Sequence, residues 1–208
     1  MNPATRPAIQ SQAEARLPMT EALDQIAEQA AIGVTVVCGF PASGKSTAAR
    51  YLADLIDAVI IDKDAFAPDL EESVMAELTG NPYDRDSNEY MRVVNPHIYR
   101  AFVHQAFVIG VRVPVIVDAP FIGHVQAAAR RGVALSEHLM STVLVPLPLV
   151  RTIWISAMPN QIRDRMSYRG AERDIGKLAD WDAYRAHVLD SGIEDAAQGV
   201  VDYVVRNY

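Results

Sequence analysis

A nine-residue segment, 39–47, has the residue types and spacing of a phosphate-binding loop. It reads Gly-Phe-Pro-Ala-Ser-Gly-Lys-Ser-Thr and fits the Walker A pattern G-x-x-x-x-G-K-[ST]. In such a loop, backbone N–H groups and the N-terminus of the next helix surround the phosphates of a nucleotide. We expect Lys45 to reach the β- and γ-phosphates and the Ser46 hydroxyl to bind Mg²⁺. The segment predicts a site for ATP or another nucleoside triphosphate. The predicted nucleotide-binding residues of the loop are Gly39, Phe40, Pro41, Ala42, Ser43, Gly44, Lys45, Ser46 and Thr47.

Two aspartates follow the next apolar run, in the sequence VIIDKD that ends at Asp64. A carboxylate here can accept a proton from an attacking hydroxyl or hold Mg²⁺ through water. Alternate residues of a strand point the same way, so both aspartates are expected to face the site. We predict Asp64 as the catalytic base and Asp62 as its support or an outer-shell Mg²⁺ ligand. The alternative is that one of them caps the next helix. Lys63 is expected to point away as a surface lysine.

Asp118 ends a third apolar run, VPVIVD, in an arrangement like that of a Walker B aspartate. Such a residue holds a Mg²⁺-bound water near the Walker serine, so the predicted metal site consists of Ser46, Asp62 and Asp118. Two alternatives stay open. Asp118 contacts the phosphoryl acceptor, because the following Ala-Pro-Phe-Ile-Gly resembles a pocket wall, or it only initiates a turn.

A cluster of cations occupies residues 163–177. Its members are Arg163, Arg165, Arg169, Arg173 and Lys177. The last four are spaced by four residues and would share one face of a continuous helix, but Gly170 interrupts it and suggests a hinge. We predict a mobile lid over the nucleotide, with Arg165 and Arg169 catalytic and with Arg165, Arg169 and Arg173 on the phosphates. The alternative is a solvated helix face paired with neighbouring carboxylates.

Alternating strands and helices must position these groups. Apolar β-branched runs predict strands at 34–38, 58–61, 113–117, 150–155 and 200–205. Helical spacing predicts helices at 20–30 with Thr20 as N-cap, 46–56, 70–78, 96–109, 125–131, 135–140, 160–168 and 179–189. The pattern is typical of an α/β protein with a parallel sheet covered on both faces. Its strand ends would bring 39–47, 62–64 and Asp118 to one edge.

Composition narrows the class of protein further. The chain has 208 residues, 50% of them hydrophobic, and a net charge of −7. We expect one domain at 19–208, with the lid at about 163–177, after a mobile N-terminal arm at 1–18. The acidic balance disfavours nucleic acid as a partner, no run is long enough to span a membrane, and a homodimer stays open. The single cysteine, Cys38, and a start without a secretory signal predict the cytoplasm.

These motifs together resemble the small P-loop kinases of the zeta-toxin-like and chloramphenicol-phosphotransferase-like group. The matching segments are GFPASGKST at 39–47, IDKD at 61–64, VIVDAPF at 115–121 and RDRMSYRGAERDIGK at 163–177. Adenylylsulfate, gluconate and polynucleotide kinases are more distant relatives. The resemblance implies a three-layer P-loop kinase fold with a five-stranded parallel sheet in the order 2-3-1-4-5. It also implies Asp64 as base and an arginine lid over ATP.

The sequence departs from the pattern of this family at one point, which concerns recognition of the phosphoryl acceptor. Many relatives carry an arginine soon after the base, whereas this chain has Ala65-Phe66-Ala67. The absence of this arginine favours an apolar or neutral hydroxyl compound as the phosphoryl acceptor. The leading hypothesis is an ATP- and Mg²⁺-dependent phosphotransferase acting on a hydroxyl of an antibiotic, sugar or nucleoside. The alternatives are a polynucleotide 5′-hydroxyl kinase, a zeta-type toxin kinase and a regulatory ATPase that phosphorylates nothing.

Overall fold

Five parallel strands form the centre of the molecule, which is described by a computed structural model over residues 18–85 and 87–208. The strands are β1 (Val34–Cys38), β2 (Val59–Asp62), β3 (Val115–Asp118), β4 (Val150–Ser156) and β5 (Tyr203–Arg206). Their order across the sheet is β2-β3-β1-β4-β5, and every neighbouring pair is parallel. The predicted fold class and strand order are confirmed. Except for Pro18, the predicted mobile arm lies outside the described residues.

Helices occupy most of the chain between the strands. The first six are α1 (Met19–Ala30), α2 (Lys45–Ile56), α3 (Lys63–Phe66), α4 (Pro68–Thr79), α5 (Asn95–Gly110) and α6 (Ile122–Arg131). The remaining five are α7 (Leu135–Met140), α8 (Pro159–Arg169), α9 (Glu172–Ala179), α10 (Trp181–Tyr184) and α11 (Ile193–Val200). Two single π-helical turns, Tyr90–Val94 and Arg185–Leu189, precede α5 and follow α10.

The core lies in two layers, one on each face of the sheet. Side chains alternate along β1, so that Val36 belongs to one layer and Val37 to the other. Helices α1 and α2 cover the layer of Val37, and α5 to α8 and α11 cover the layer of Val36. Both faces of β1 and β3 are therefore buried, as their mostly apolar, β-branched sequences predict.

Strand β2 departs from the prediction of a second fully buried strand. Val59 and Ile60 are 45% and 37% exposed. The reason is position, because β2 is an edge strand that pairs only with β3. Its apolar sequence is the same in kind as that of β1, and sequence pattern does not distinguish an edge strand from a central one when both are short.

Several predicted boundaries are wrong for local reasons. Helix α1 starts at Met19 after Pro18, so Thr20 is not its N-cap. Helix α2 starts at Lys45 rather than at Ser46, and β3 starts after Pro114, which has no N–H to donate. The predicted helix at 179–189 is divided at Asp180, whose side chain caps α10.

The C-terminal region contains the largest error of the prediction. A strand is expected at 200–205, but Val200 ends α11 and the strand runs over Tyr203–Arg206. The apolar residues Ile193, Ala197 and Val200 have helical spacing, and acidic residues occupy the first turn. Gly199 weakens that signal, so the sequence does not predict this eight-residue helix.

Candidate active site

The loop between β1 and α2 has a backbone that requires glycine at two positions. Gly39 has φ 145°, and a Cβ there would lie 2.6 Å from the carbonyl oxygen of Ile155. Gly44 has φ 101° and is the N-cap of α2, where a Cβ would lie 2.1 Å from Nδ2 of Asn207. Because Gly44 has no side chain to cap α2, the first-turn N–H groups stay available to an anion.

The side chains of Asn207 and Arg165 donate hydrogen bonds to a carbonyl group of this loop. Asn207 Nδ2 donates to the carbonyl oxygen of Ser43 at 2.8 Å. Arg165 Nη1 donates to the same oxygen at 3.1 Å, and Arg165 Nη2 donates to the carbonyl oxygen of Asn207 at 3.3 Å. Sequence reasoning missed Asn207; the available signal was its position directly after β5, at the edge where the other polar strand ends meet.

Lys45 lies in the centre of the loop and is 8% exposed. Its Nζ donates to the carbonyl oxygen of Phe40 at 2.9 Å. Burial lowers the pKa of Lys45, and the nearby charges of Asp118 and Asp64 oppose that shift. The ammonium is thus already placed among the carboxylates, in a setting of low dielectric where its charge acts strongly.

Asp118 lies beside the first turn of α2. It is 4% exposed. Burial raises the pKa of Asp118, while the side chain of Ser46 and the Lys45 charge favour its ionised form. In the sheet, Asp118 is the register partner of Asp62, so these two predicted metal residues stand side by side at one edge.

Asp62 and Asp64 do not stand as alternate residues of one strand. Strand β2 ends at Asp62, and helix α3 starts at Lys63. Oδ1 of Asp62 accepts a hydrogen bond from the backbone N–H of Asp64 at 2.9 Å, so Asp62 is the N-cap of α3. The helix-cap alternative is therefore correct for Asp62, yet both carboxylates still line the same cleft.

Lys63 is not a surface lysine, contrary to the prediction. It is 7% exposed, and its Nζ lies 2.8 Å from Oε1 of Glu71 and donates to the Tyr90 hydroxyl at 2.9 Å. Tyr90 in turn donates to Glu71, and Arg85 lies 3.5 Å from the same carboxylate. The strand alternation that would turn Lys63 outward ends with β2, and the start of α3 directs it into this buried cluster.

The cationic segment 163–177 forms two helices that meet at Gly170. Gly170 has φ 60° and ends α8, and α9 begins two residues later. The four cations spaced by four residues therefore do not form one continuous face. Arg169 donates to Oδ2 of Asp174 from Nε at 2.9 Å and from Nη2 at 2.5 Å. Asp174 is 1% exposed, which makes this contact more than a surface ion pair.

Arg173 makes the contact that joins α9 to the predicted base. Its Nη1 donates to Oδ2 of Asp64, and the two side chains are 44% and 52% exposed. Arg165, by contrast, lies on the loop carbonyls described above. The three arginines predicted to bind nucleotide thus have three different partners, although all three line the same cleft.

Most of the predicted site residues face a common cleft of about 1410 Å³ at the carboxyl ends of the strands. Lys45, Ser46, Asp64 and Asp118 line it. The cleft is also lined by residues from the region between β2 and β3, from the β3–α6 connection and from α6, among them Tyr83, Arg85, Tyr90, Asn95, Tyr99, Arg100, Ala119, Pro120, Ile122, Gly123 and His124. Of the predicted pocket wall at 119–123, all residues line the cleft except Phe121, which is buried in the core.

The carboxylates do not form a ready-made cage for a metal ion. Over the described ranges, 18–85 and 87–208, no three His, Cys, Asp or Glu side chains group closely enough to hold one. A Mg²⁺ ion at Ser46 and Asp118 would therefore take most of its ligands from phosphate and water, as Mg²⁺ commonly does.

Cys38 is a free, buried cysteine in β1. Across the part of the chain that the structure describes, no helix has the length and apolar character needed to cross a membrane.

Comparison with known proteins agrees with this architecture. A family model described as AAA domain matches residues 34–189. The fold is similar to that of shikimate kinase from Acinetobacter baumannii in complex with shikimate, with 15% identity, a TM-score of 0.50, and coverage of 91% of this chain and 88% of that chain. It is also similar to TT1252 from Thermus thermophilus, with 19% identity, a TM-score of 0.45, and coverage of 86% and 90%.

No curated protein matches the chain. At 15% identity, the likeness to shikimate kinase concerns the fold alone. The zeta-toxin-like and chloramphenicol-phosphotransferase-like subgroup stays a prediction. The family match covers more than half of the chain, from β1 to the end of the second π-helical turn. The chain therefore belongs to the AAA domain family and has the fold of shikimate kinase-like P-loop kinases.

Proposed function

We propose that the protein is a kinase that transfers the γ-phosphoryl group of ATP to a hydroxyl of a small molecule. The observation that carries the proposal is the joint placement of Lys45, Asp64 and Asp118 on one cleft, which aromatic and polar side chains such as Tyr99 and His124 also line. A site that only bound a nucleotide would need no carboxylate base beside the γ-phosphate.

The residues of the loop fit a nucleotide triphosphate. The uncapped start of α2, the two glycines whose Cβ positions are blocked, and the buried ammonium of Lys45 are suited to phosphate oxygens. In the proposal, residues 39–47 hold the phosphates. Ser46 and Asp118 would hold Mg²⁺, and Asp62, the register partner of Asp118, would add negative charge beside them. Bound there, Mg²⁺ would neutralise charge on the phosphate oxygens.

The proposed reaction is an in-line transfer assisted by Asp64. The acceptor hydroxyl oxygen forms a bond to the γ-phosphorus, the bond from that phosphorus to the β–γ bridging oxygen breaks, and ADP leaves with the electron pair. Asp64 takes the hydroxyl proton, and Lys45 stabilises charge on the transferring group. Both side chains are already on the cleft, so the transfer needs no rearrangement of the sheet.

Arg173 must leave Asp64 for that base to act. The ion pair is half-exposed, and such pairs contribute only about 0–1 kcal/mol, so a triphosphate can compete for the guanidinium. We propose that residues 163–177 act as a lid in which Arg173 exchanges Asp64 for phosphate, and that Arg169 joins the phosphates while Arg165 stays on the loop. The corner at Gly170 is the proposed hinge.

The test is a transfer screen with mass spectrometry. Purified full-length chain is mixed with ATP, Mg²⁺ and pooled antibiotics, sugars and nucleosides, and each pool is searched for a compound that gains one phosphoryl group. The proposal expects such a product, absent with Lys45→Met. Hydrolysis of ATP in every pool without any phosphorylated compound would favour a regulatory ATPase instead, and a phosphorylated oligonucleotide added as a further pool would favour a polynucleotide kinase.

A further inference from the structure

A chain of three nitrogen-bearing side chains runs from the surface to the wall of the cleft. Arg131 Nη1 lies 3.0 Å from Nδ1 of His138, and Nε2 of His138 lies 3.2 Å from Nδ1 of His124. His138 is 8% exposed, and His124 lines the cleft. The residues come from α6 and α7, the two helices that follow the Asp118 strand end.

The contact with Arg131 determines which nitrogen of each of the two imidazoles carries a proton. A guanidinium only donates hydrogen bonds, so Nδ1 of His138 must offer a lone pair. His138 then carries its proton on Nε2 and donates to Nδ1 of His124. Nδ1 of His124 is therefore also a lone pair, and the proton of this imidazole is on Nε2.

Neighbouring groups hold this arrangement in place. Arg131 also donates to Ser141 Oγ at 3.3 Å, and Ser141 Oγ donates to the carbonyl oxygen of His138 at 2.7 Å. Burial, together with the charge of Arg131, lowers the pKa of His138. Burial lowers the pKa of His124 to about 4. Both imidazoles are thus neutral near pH 7, as the donor chain requires.

A second donor stands next to His124. The rings of Tyr99 and His124 have centroids 5.1 Å apart, and Tyr99 also lines the cleft. The Tyr99 hydroxyl accepts from the backbone N–H of Phe121 at 3.4 Å, and burial raises its pKa, so it keeps its proton. Within residues 18–85 and 87–208, neither this proton nor Nε2 of His124 has an acceptor.

We propose that Tyr99 and His124 form the acceptor subsite of the cleft, in which two fixed neutral donors bind oxygen lone pairs beside the hydroxyl that is phosphorylated. This inference rests on the proposed kinase function. It assigns the substrate class: a hydroxyl compound with a second oxygen near the reacting one, such as a vicinal diol or a hydroxy carbonyl compound. An ammonium group beside the hydroxyl is disfavoured, because two donors would face its N–H groups.

Arg131 is a positioning residue in this proposal. It touches no substrate and acts by fixing which nitrogen of His138, and through it of His124, carries the proton. Without Arg131, His138 is free to exchange tautomers, and His124 would then present a donor only part of the time.

The first arm of the test reads the tautomers directly. Long-range ¹H–¹⁵N NMR spectra of the histidine-labelled full chain at pH 7 are assigned with His124→Gln and His138→Gln. The expected result is a proton on Nε2 of both rings, a mixed tautomer of His138 in Arg131→Met, and wild-type spectra in the matched control Arg130→Met. A proton on Nδ1 of either ring in the wild type, or no change in Arg131→Met, would overturn the proposal.

The second arm uses two probes, cyclohexane-1,2-diol and 2-aminocyclohexanol. The diol should shift the ring signals of His124, and the protonated amino alcohol should not. His124→Leu should weaken binding of the diol roughly 3- to 10-fold, with partial recovery in His124→Gln, which keeps an N–H donor. Equal shifts from both probes, or none from either, would overturn the subsite.

The two proposals fail in different ways. If the diol shifts His124 but gains no phosphate from ATP, and the compound screen is also negative, the kinase function fails and Tyr99 and His124 are a binding site for the diol without phosphoryl transfer. If the diol is phosphorylated but leaves His124 unshifted, the kinase function stands and the subsite fails.

Discussion

Arg173 and Asp64 form an ion pair that joins α9 to α3 across the cleft that both residues line. The pair occupies the carboxylate that we propose as the catalytic base. Nucleotide binding should therefore have two linked effects: it withdraws the guanidinium from Asp64, and it orders the segment that carries Arg173.

The first prediction concerns that ordering. Hydrogen exchange over 163–177 should slow when a non-hydrolysable ATP analogue and Mg²⁺ are added, because Arg173 exchanges a solvent-exposed contact for phosphate. Arg173→Ala should reduce the slowing while changing the free energy of unfolding by only about 0–1 kcal/mol, since its ion pair is exposed. Unchanged exchange over 163–177, with normal turnover by Arg173→Ala, would make this segment an ordinary helical surface.

The second prediction separates Arg169 from Arg173. Asp174 is 1% exposed and receives two hydrogen bonds from Arg169. Arg169→Ala would leave that carboxylate buried and unpaired, so we expect a loss of about 3 kcal/mol in the free energy of unfolding. Chemical denaturation of the single variants and of Arg169→Ala with Asp174→Ala measures it. The double variant should recover much of the loss, and equal stabilities of all variants would contradict this reading of the contact.

Lys63 shows which structural features a sequence pattern can predict and which it cannot. Strand alternation correctly describes β2 up to Asp62, but it does not apply once α3 begins at the next residue, so Lys63 turns into the buried cluster with Glu71. The phosphate-loop segment is predictable because it depends on contiguous residues, and the sheet order follows from the resemblance to the small P-loop kinases that this segment helps to carry. The contact of Asn207 with Ser43 spans 164 positions, and its place directly after β5 is hidden because the sequence predicts that strand at 200–205 rather than at Tyr203–Arg206.

The third prediction uses the Lys63 cluster. Lys63→Met leaves Glu71 buried with Arg85 and Tyr90 as remaining partners, so we expect a loss of about 2–4 kcal/mol in the free energy of unfolding. The exposed Arg92→Met is the matched control and should have little effect. Adding Glu71→Leu to Lys63→Met should restore stability, and failure of that rescue would show that the cluster is not held by the charge pair.

The fourth prediction is a pH dependence that arises from His124. Its pKa is near 6.5 in an unfolded chain and about 4 in the folded protein. Between these values the unfolded chain binds more protons, so this residue makes stability fall as the pH is lowered from 6.5 to 4. Denaturation curves across this range should show a smaller fall for His124→Gln than for the wild type. Parallel curves for the two proteins would place the folded pKa of His124 near its ordinary value.

The account depends most on Asp64 as the base of a phosphoryl transfer, and ³¹P NMR tests this most directly. With a compound identified by the screen, the wild type should move phosphate from ATP to the hydroxyl. Asp64→Asn should lower that rate by roughly 10²-fold or more while ATP affinity stays within a few-fold. Asp54→Asn, an exposed carboxylate on α2, should match the wild type. Wild-type transfer by Asp64→Asn, or a larger loss in Asp62→Asn, would contradict the assignment.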